Sequence, residues 1–519
     1  MKIKFFNKIM LAGALVAFSS QSCTNLDETP FSELTNETFP TTEEQFISAL
    51  GATYTSLYGF ANHGGLFSAN EVSSDEIMIP QRGSDWFDGG IWLRCHRHQY
   101  TANEGFVAGG WNFLYGGINN CNRVIALFDQ LVEEQKVSAE QAASFIGEVK
   151  VLRAFFYYWL LDSYGNVPIV TSFASSEPNP PTKSRSEVFA FIESELNENV
   201  PNLTKKVDGS TYARINYYVG KALQAKLYLN AGVYTGTPRW DAAAAACDEV
   251  INSGVYSLEG NYFANFNARN ESSKENIFVI PYDRNQATGF NLPAMTLHYS
   301  SQETFNLTFQ PWNGYCTLQE FYDSYEDGDV RKGEYGNQKV RGNFHAGPQY
   351  KANGIDRVLD SSADDPGGPE LEFTPEINAL EPNAHRQAGA RVGKFEFVSG
   401  ATPDLDNDFP LLRYADVLLM KAEALWHQNN SSSEALALVN QVRQRAGVDE
   451  FSSLTPDDLL AERGRELFYE GWRRSDLIRF GKFDDPWAFK PASDPCKALF
   501  PIPAEQIQAN PALQQNPCY

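Results

Sequence analysis

Positive charge, cysteine and long apolar runs are all in short supply in this chain, and each shortage closes off a class of function. Its 42 Lys and Arg are outweighed by 65 Asp and Glu, a formal net charge of −23. A surface of that sign repels phosphate backbones and anionic headgroups. It argues against a nucleic-acid partner and against lying flat on an anionic membrane. Cysteine numbers seven and forms no C-x-x-C pair, so zinc-finger and thioredoxin-like readings are weak. Beyond residue 23 no apolar run approaches membrane-spanning length. Catalytic signatures are missing too: there is no P-loop, no H-E-x-x-H and no G-x-S-x-G. What the chain does have is aromatic residues at 13% and hydrophobic residues at 42%, enough for a large packed core.

The first residues point to export. Lys2, Lys4 and Lys8 flank an apolar run from Ile9 to Phe18, and small and polar residues follow up to Cys23. This is the layout of a secretory signal. The segment Ser20-Gln21-Ser22-Cys23 resembles the cleavage site of a bacterial lipoprotein, with Cys23 as the lipidated residue and Ser20 where Leu is usual. The plainer alternative is an ordinary signal peptide with an incidental cysteine. The expected organisation is a signal over 1–22, a lipid-anchored tether over 23–41 and a body over 42–519. An exported chain cannot draw on cytosolic cofactors, and none is expected. The pairing of Cys95, Cys121, Cys247, Cys316, Cys496 and Cys518 stays open. Cys121 and Cys247 fall on apolar helix patterns and read as buried thiols.

Thr42-x-x-Gln45 forms a capping box for a helix that carries Phe46, Leu50, Tyr54 and Leu57 at helical spacing. Residues 62–102 show no helical period and read as loops with short strands. The period returns over 110–131, 139–164 and about 185–198. Two later segments look like copies of one unit. Residues 213–252 carry Ala222, Ala225 and Leu229, then Ala243, Ala246 and Val250; residues 414–446 carry Ala415, Leu419 and Ala422, then Ala435, Leu438 and Val442. Each reads as a helical hairpin with small residues at the helix contact, which suggests a tetratricopeptide-like stack. The predicted fold is therefore mainly α. A helical-repeat scaffold takes up about 42–61, 103–254 and 411–480. A loop-rich lobe with short strands takes up 62–102 and 255–410, the latter too long to be one connection.

Charged clusters invite chemistry but have plainer readings. Glu462, Glu466, Glu470 and Arg473 recur at helical spacing and read as an intrahelical ion ladder rather than a catalytic pair. Asp404-x-Asp406-x-Asp408 begins like a calcium loop, but Phe409 replaces the turn glycine and Ala415 the closing glutamate, so surface acids are expected. Cys95, His96 and His98 lack a second cluster to complete a metal site.

The tryptophans sort by context. Trp111, Trp159, Trp240, Trp426 and Trp472 lie on helical patterns and read as core, while Trp487 lies in a loop near the tail. Trp86, Trp92 and Trp312 lie in polar, Gly-rich stretches. A sugar ring offers an apolar face that stacks on an aromatic ring and a fringe of hydroxyls that Asp, Asn and Arg bind. Asp85-Trp86-Phe87-Asp88 supplies both chemistries, and so does Gln310-Pro311-Trp312-Asn313-Gly314-Tyr315. Asp75 and Arg82 precede the first cluster, and Tyr299 precedes the second. The candidate ligand-binding set is thus Asp75, Arg82, Asp85, Trp86, Trp92, Tyr299, Trp312 and Asn313. The two loops are expected to meet as a shallow aromatic platform.

Five stretches together resemble the SusD/RagB family of outer-membrane glycan-binding lipoproteins. They are Asn119-Asn120-Cys121-Asn122-Arg123, Arg153-Ala154 leading to Tyr164-Gly165-Asn166-Val167-Pro168, the run from Arg413-Tyr414-Ala415-Asp416 to Glu423-Ala424, the run from Glu462-Arg463 to Asp476-Leu477, and Phe500-Pro501-Ile502-Pro503 with Gln515-Asn516-Pro517-Cys518-Tyr519. Cys518 stands where a small residue, often Gly, is usual. The resemblance implies a non-catalytic surface protein that is anchored by lipid to the outer membrane and faces the exterior. It further implies that the protein binds an oligo- or polysaccharide and delivers it to a SusC-like TonB-dependent transporter. The rivals are a surface glycoside hydrolase and a scaffold or peptide-binding partner of the transporter.

Overall fold

The computed structural model describes residues 42–174, 177–361 and 366–519. The signal, Cys23 and the tether lie outside the described residues. Contacts divide the chain into a unit ending at Phe46 and a unit from Ile47 to Tyr519, which holds the scaffold and the lobe. In the first unit the Gln45 amide N–H donates to the Thr42 hydroxyl, the capping contact the sequence predicts. The helix that begins there, α1, spans Glu43–Tyr54.

The scaffold is built from helical hairpins, as the periodicity predicts. Helices α2 (Leu66–Val72) and α3 (Ile91–His96) precede α4 (Gly105–Glu133) and α5 (Ala139–Ser163), which pack on one another; α6 (Arg185–Asn199) lies against α5. The second hairpin is α7 (Tyr217–Leu229) with α8 (Trp240–Ile251). The third is α9 (Tyr414–Gln428) with α10 (Ser433–Ala446), and it joins the second through α8 and α9. Ala243, Ala246, Ala415 and Ala422 are buried at these contacts, where small side chains let helix backbones approach. Helices α11 (Pro456–Leu467) and α12 (Arg473–Arg479) complete the stack.

Gly117 on α4 shows how tight one such contact is. A Cβ there would lie 2.4 Å from the Phe156 ring of α5. Gly117→Ala is expected to destabilise by roughly 1–3 kcal/mol through overpacking, against about 1 kcal/mol of gained helix propensity. The midpoint of urea unfolding reads the net loss.

Residues 62–102 depart from the expectation of loops with short strands, because they contain α2 and α3. All seven residues of α2 are buried, the polar Ser68, Asn70 and Glu71 included, so the segment has no solvent-facing side and is too short for a period to show. A strand is present as well: β1 (Ile77–Met78) pairs antiparallel with β3 (Cys316–Thr317), with Met78 opposite Cys316. In the lobe over 255–410, β2 (Asn276–Ile280) pairs antiparallel with β4 (Phe409–Arg413), which runs directly into α9.

The acids of the expected ion ladder bind across the fold instead. Only Arg465 and Glu462 pair within α11, at 2.8 Å. Glu462 also holds Arg331 at 2.7 Å and Arg443 at 3.0 Å, and Glu466 holds Arg413 at 2.9 Å. Glu470 lies past the helix end and pairs with Arg413 at 2.7 Å and with Lys394. Arg413, Glu462 and Glu466 are fully buried. The three aspartates are likewise not all surface acids. Asp404 accepts from the Gly289 amide at 2.8 Å and Asp406 from Arg284 at 2.7 Å, whereas Asp408 is buried beside the Tyr212 hydroxyl.

Trp111, Trp159 and Trp472 are core residues as expected, but Trp240 and Trp426 are only half-buried, Trp240 stacking on His427 at 4.1 Å. Cys496 and Cys518 form a disulfide, and Cys95, Cys121, Cys247 and Cys316 are buried free thiols. The segment that the disulfide closes caps α5: the Phe500 amide donates to the Ser163 carbonyl at 2.8 Å and the Asn516 side chain to the Tyr164 carbonyl at 2.7 Å.

Candidate functional site

The pairing of β1 with β3 brings the two tryptophan loops side by side. Beyond β1 the chain turns through Gly83 and then through Trp86 and Asp88, which all have positive φ, before Gly90 opens α3. Arg82 fixes the base of this loop. It is buried, and its guanidinium donates to the carbonyls of Asn313 at 2.9 Å and Ala388 at 3.0 Å, and to that of His385. Asn313, also buried and at φ +57°, turns the other loop. Its amide donates to the Leu297 carbonyl at 2.9 Å, and its side-chain oxygen accepts from Arg391 at 2.8 Å. The turn leaves Trp312 exposed, at 38% of its surface.

The loops are joined directly. The Trp86 indole N–H donates to the Trp312 carbonyl at 2.6 Å, and the two rings lie 6.4 Å apart with their planes tilted by 51°. Gly314 makes room for this arrangement, since a Cβ there would fall 2.3 Å from the Trp86 ring. Between the loops opens a cavity of about 370 Å³ lined by both tryptophans, His63, Asp85, Asp88, Tyr299 and Gln310. The Tyr299 hydroxyl donates to Asp85, and burial together with that carboxylate pushes the phenol up. The His63 ring touches Trp86 edge-on at 5.3 Å and lies 6.0 Å from Trp312. Burial lowers the His63 imidazole to about 4 although Asp88 pulls the other way, so the ring is neutral at ordinary pH.

Of the residues singled out from sequence, Asp85, Trp86, Tyr299 and Trp312 therefore converge. The other four do not reach the cavity. Asp75 pairs with Arg473 at 2.7 Å; Arg82 and Asn313 form the base of the loops; and Trp92 is on α3, buried, stacked on Phe106 at 5.8 Å. His63 and Asp88 are site residues that sequence reasoning missed. Asp88 is visible there only as the end of the Asp85-Trp86-Phe87-Asp88 run, and nothing in Asn62-His63-Gly64-Gly65 marks His63 for a site. Larger hollows, about 810 Å³ beside α4 and α5 and about 690 Å³ around Tyr212 and Tyr256, have no tryptophan in their walls. Among the described residues, Asp494, Cys496 and Cys518 form the one cluster with metal-ligand spacing, but both sulfurs are committed to the disulfide.

Known proteins share this outline. Residues 400–491 match the model of the SusD family, and residues 91–221 match the model described as starch-binding associating with outer membrane. The chain is similar to the starch-binding protein SusD of Bacteroides thetaiotaomicron, 27% identical over an alignment of 412 positions that covers 72% of each chain. Among solved structures, a SusD superfamily protein from Parabacteroides distasonis superposes with a TM-score of 0.74 at 22% identity, covering 94% of this chain and 100% of the other. Surface glycan-binding protein A from Bacteroides thetaiotaomicron, in complex with laminarihexaose, superposes with a TM-score of 0.73 at 22% identity, covering 92% of this chain and 100% of the other. At these identities the two structures establish the fold.

Proposed function

We propose that the chain is a SusD/RagB-family protein that captures an oligo- or polysaccharide between Trp86 and Trp312 and delivers it to a SusC-like TonB-dependent transporter. The observation that carries the proposal is the meeting of two sequence-distant loops that leave aromatic faces and hydrogen-bonding groups around one open cavity. Aromatic faces take the apolar side of a sugar ring, and Asp85, Asp88 and Gln310 take its hydroxyls. The relatives named for starch binding and for a laminarihexaose complex support the same ligand class.

Retardation of the protein in native gels containing plant, microbial or host polysaccharides tests the reading. We expect retardation by at least one glycan without release of sugar. Release of reducing sugar would favour the hydrolase, and absence of retardation by every glycan would favour the scaffold. The transporter rests on the family alone, and a mild-detergent pull-down from the native envelope should recover a large β-barrel protein.

The lipid anchor at Cys23 and the division into signal, tether and body belong to the same proposal. Cys23→Ala removes the acyl attachment point and is expected to release the protein from the membrane. Retention of that variant through salt washing would overturn the anchor.

A further inference from the structure

The charge around the cavity between Trp86 and Trp312 is of one sign, with Gln310 as a neutral polar group. The charged lining groups are Asp85 and Asp88, and no Lys or Arg lines the cavity among the described residues. The nearby guanidiniums are engaged elsewhere. Arg82 is held by backbone carbonyls beneath the loops, Arg94 by Glu104 at 2.7 Å, and Arg386 by Asp360 at 3.0 Å. Two obvious donors are also taken, because the Trp86 indole N–H goes to the Trp312 carbonyl and the Tyr299 hydroxyl to Asp85.

His63 adds to this polarity through a chain of hydrogen bonds behind it. Its Nδ1 lies 2.7 Å from the Tyr315 hydroxyl, which donates to the Ser68 hydroxyl at 2.8 Å. Ser68 accepts from the Gly64 amide at 3.1 Å and donates to the Asn62 carbonyl at 3.4 Å. A carbonyl can only accept, so the donors run from the imidazole towards Asn62. Tyr315 gives its one proton to Ser68 and must accept from His63, which places the His63 proton on Nδ1. Nε2 then keeps its lone pair and has no protein partner among the described residues. The neutral ring stands beside Trp86 and Trp312 as one more acceptor.

We infer that the site selects unsubstituted polyhydroxy glycans and rejects chains bearing carboxylate or sulfate groups, with His63 Nε2 and the Asp88 carboxylate accepting hydroxyl hydrogens. The inference rests on the glycan-binding reading above. A sugar hydroxyl can donate to each of these acceptors. A carboxylate or sulfate brings no hydrogen to these acceptors, and it adds negative charge beside Asp85 and Asp88, where no Lys or Arg lines the cavity among the described residues. Discrimination of this kind works by penalising the wrong ligand as much as by favouring the right one.

The test uses the full protein in affinity electrophoresis. The uncharged probes are amylopectin, laminarin, xylan and galactomannan, and the anionic ones are polygalacturonate, alginate and dextran sulfate. A carboxymethylated form of whichever neutral glycan binds completes the set. We expect carboxymethylation to weaken binding by about tenfold or more, a free-energy difference of about 1.4 kcal/mol. The Asp85→Asn, Asp88→Asn pair should narrow that gap. Equal or stronger binding of the anionic probes, or a gap unchanged in the paired variant, overturns the inference and leaves glycan binding intact. Failure of every probe overturns the glycan reading, and the inference with it. Imidazole ¹⁵N NMR tests His63 separately: the Nδ1–H tautomer, with Nε2 shifting on addition of the neutral glycan, is expected, and an Nε2–H tautomer overturns its role as acceptor.

Discussion

Replacing Trp86 and Trp312 together with alanine is expected to abolish measurable glycan binding by a protein that remains folded. Sugar hydroxyls exchange water for protein partners at little net gain, so stacking on aromatic faces supplies much of the affinity. Truncating one aromatic anchor in a binding surface costs on the order of 2 kcal/mol, about thirtyfold. The two losses will not simply add, because the Trp86 indole holds the Trp312 carbonyl at 2.6 Å and each ring positions the other's loop. Trp111→Ala is the contrast. Trp111 is buried on α4, 4.7 Å from the Tyr115 ring and 5.3 Å from that of Tyr164. Its loss opens a cavity worth about 3–5 kcal/mol of stability and should lower Tm without weakening the ligand at temperatures where the protein stays folded. Calorimetry with the glycan found by gel retardation separates the two. Unchanged affinity in a folded double variant would remove the site and leave the similarity to the SusD family standing.

Arg413→Ala is expected to cost about 3–5 kcal/mol of stability, because it removes the cation shared by three buried carboxylates and leaves each with fewer partners. The Arg413 guanidinium reaches Glu275, Glu466 and Glu470, all fully or almost fully buried. The same cluster sets a pH dependence. Burial alone would raise the Glu462 carboxyl, but Arg331 and Arg465 together outweigh it and hold it at about 2, against an ordinary 4.5. Glu466 is likewise held well below its ordinary range, with Arg445, Arg413 and Arg331 overcoming burial. Depressed carboxyls contribute stability that is fully present above pH 4.5 and lost as pH falls towards 2. Urea midpoints in the wild type should hold from pH 7 to about pH 5 and fall from there to pH 3. The Arg413→Ala protein should start lower and lose less, since Glu466 has already lost one of its cations.

How far the sequence foretold this depends on where each signal lives. The long hairpins were legible because α4, α8 and α10 each turn one apolar face inward and leave a polar face to water. Helix α2 was not, because its two turns are too short to show a period and even its polar residues, Ser68, Asn70 and Glu71, are buried. The charge cluster looked intrahelical because Glu462 and Glu466 sit at helical spacing. Their main partners, Arg331 and Arg413, lie 131 and 53 residues away, where no local pattern reaches. At the candidate site, composition alone brought forward the two loops and four of their residues. Trp86 and Trp92 read alike, six positions apart in the same Gly-rich stretch, yet α3 turns Trp92 inward onto Phe106 while the left-handed turn at Trp86 lays its ring against Gly314. Arg82 and Asn313 looked like ligand-binding side chains and serve instead to shape the loops. His63 became visible only when Trp86, Trp312 and Tyr315 had gathered around it.

The capping of α5 by the segment closed by the disulfide has a consequence in time. The Tyr164 carbonyl waits for a side chain 352 residues further along, and the Ser163 carbonyl for the amide of Phe500. Contacts of such long sequence separation form slowly, because loop entropy must be lost before they contribute anything. A chain still being made therefore cannot close the end of α5 until Phe500 and Asn516 are present. Until then the last carbonyls of α5 lack these partners, and Tyr164 lacks the Phe500 ring that lies 6.0 Å from it in the folded protein.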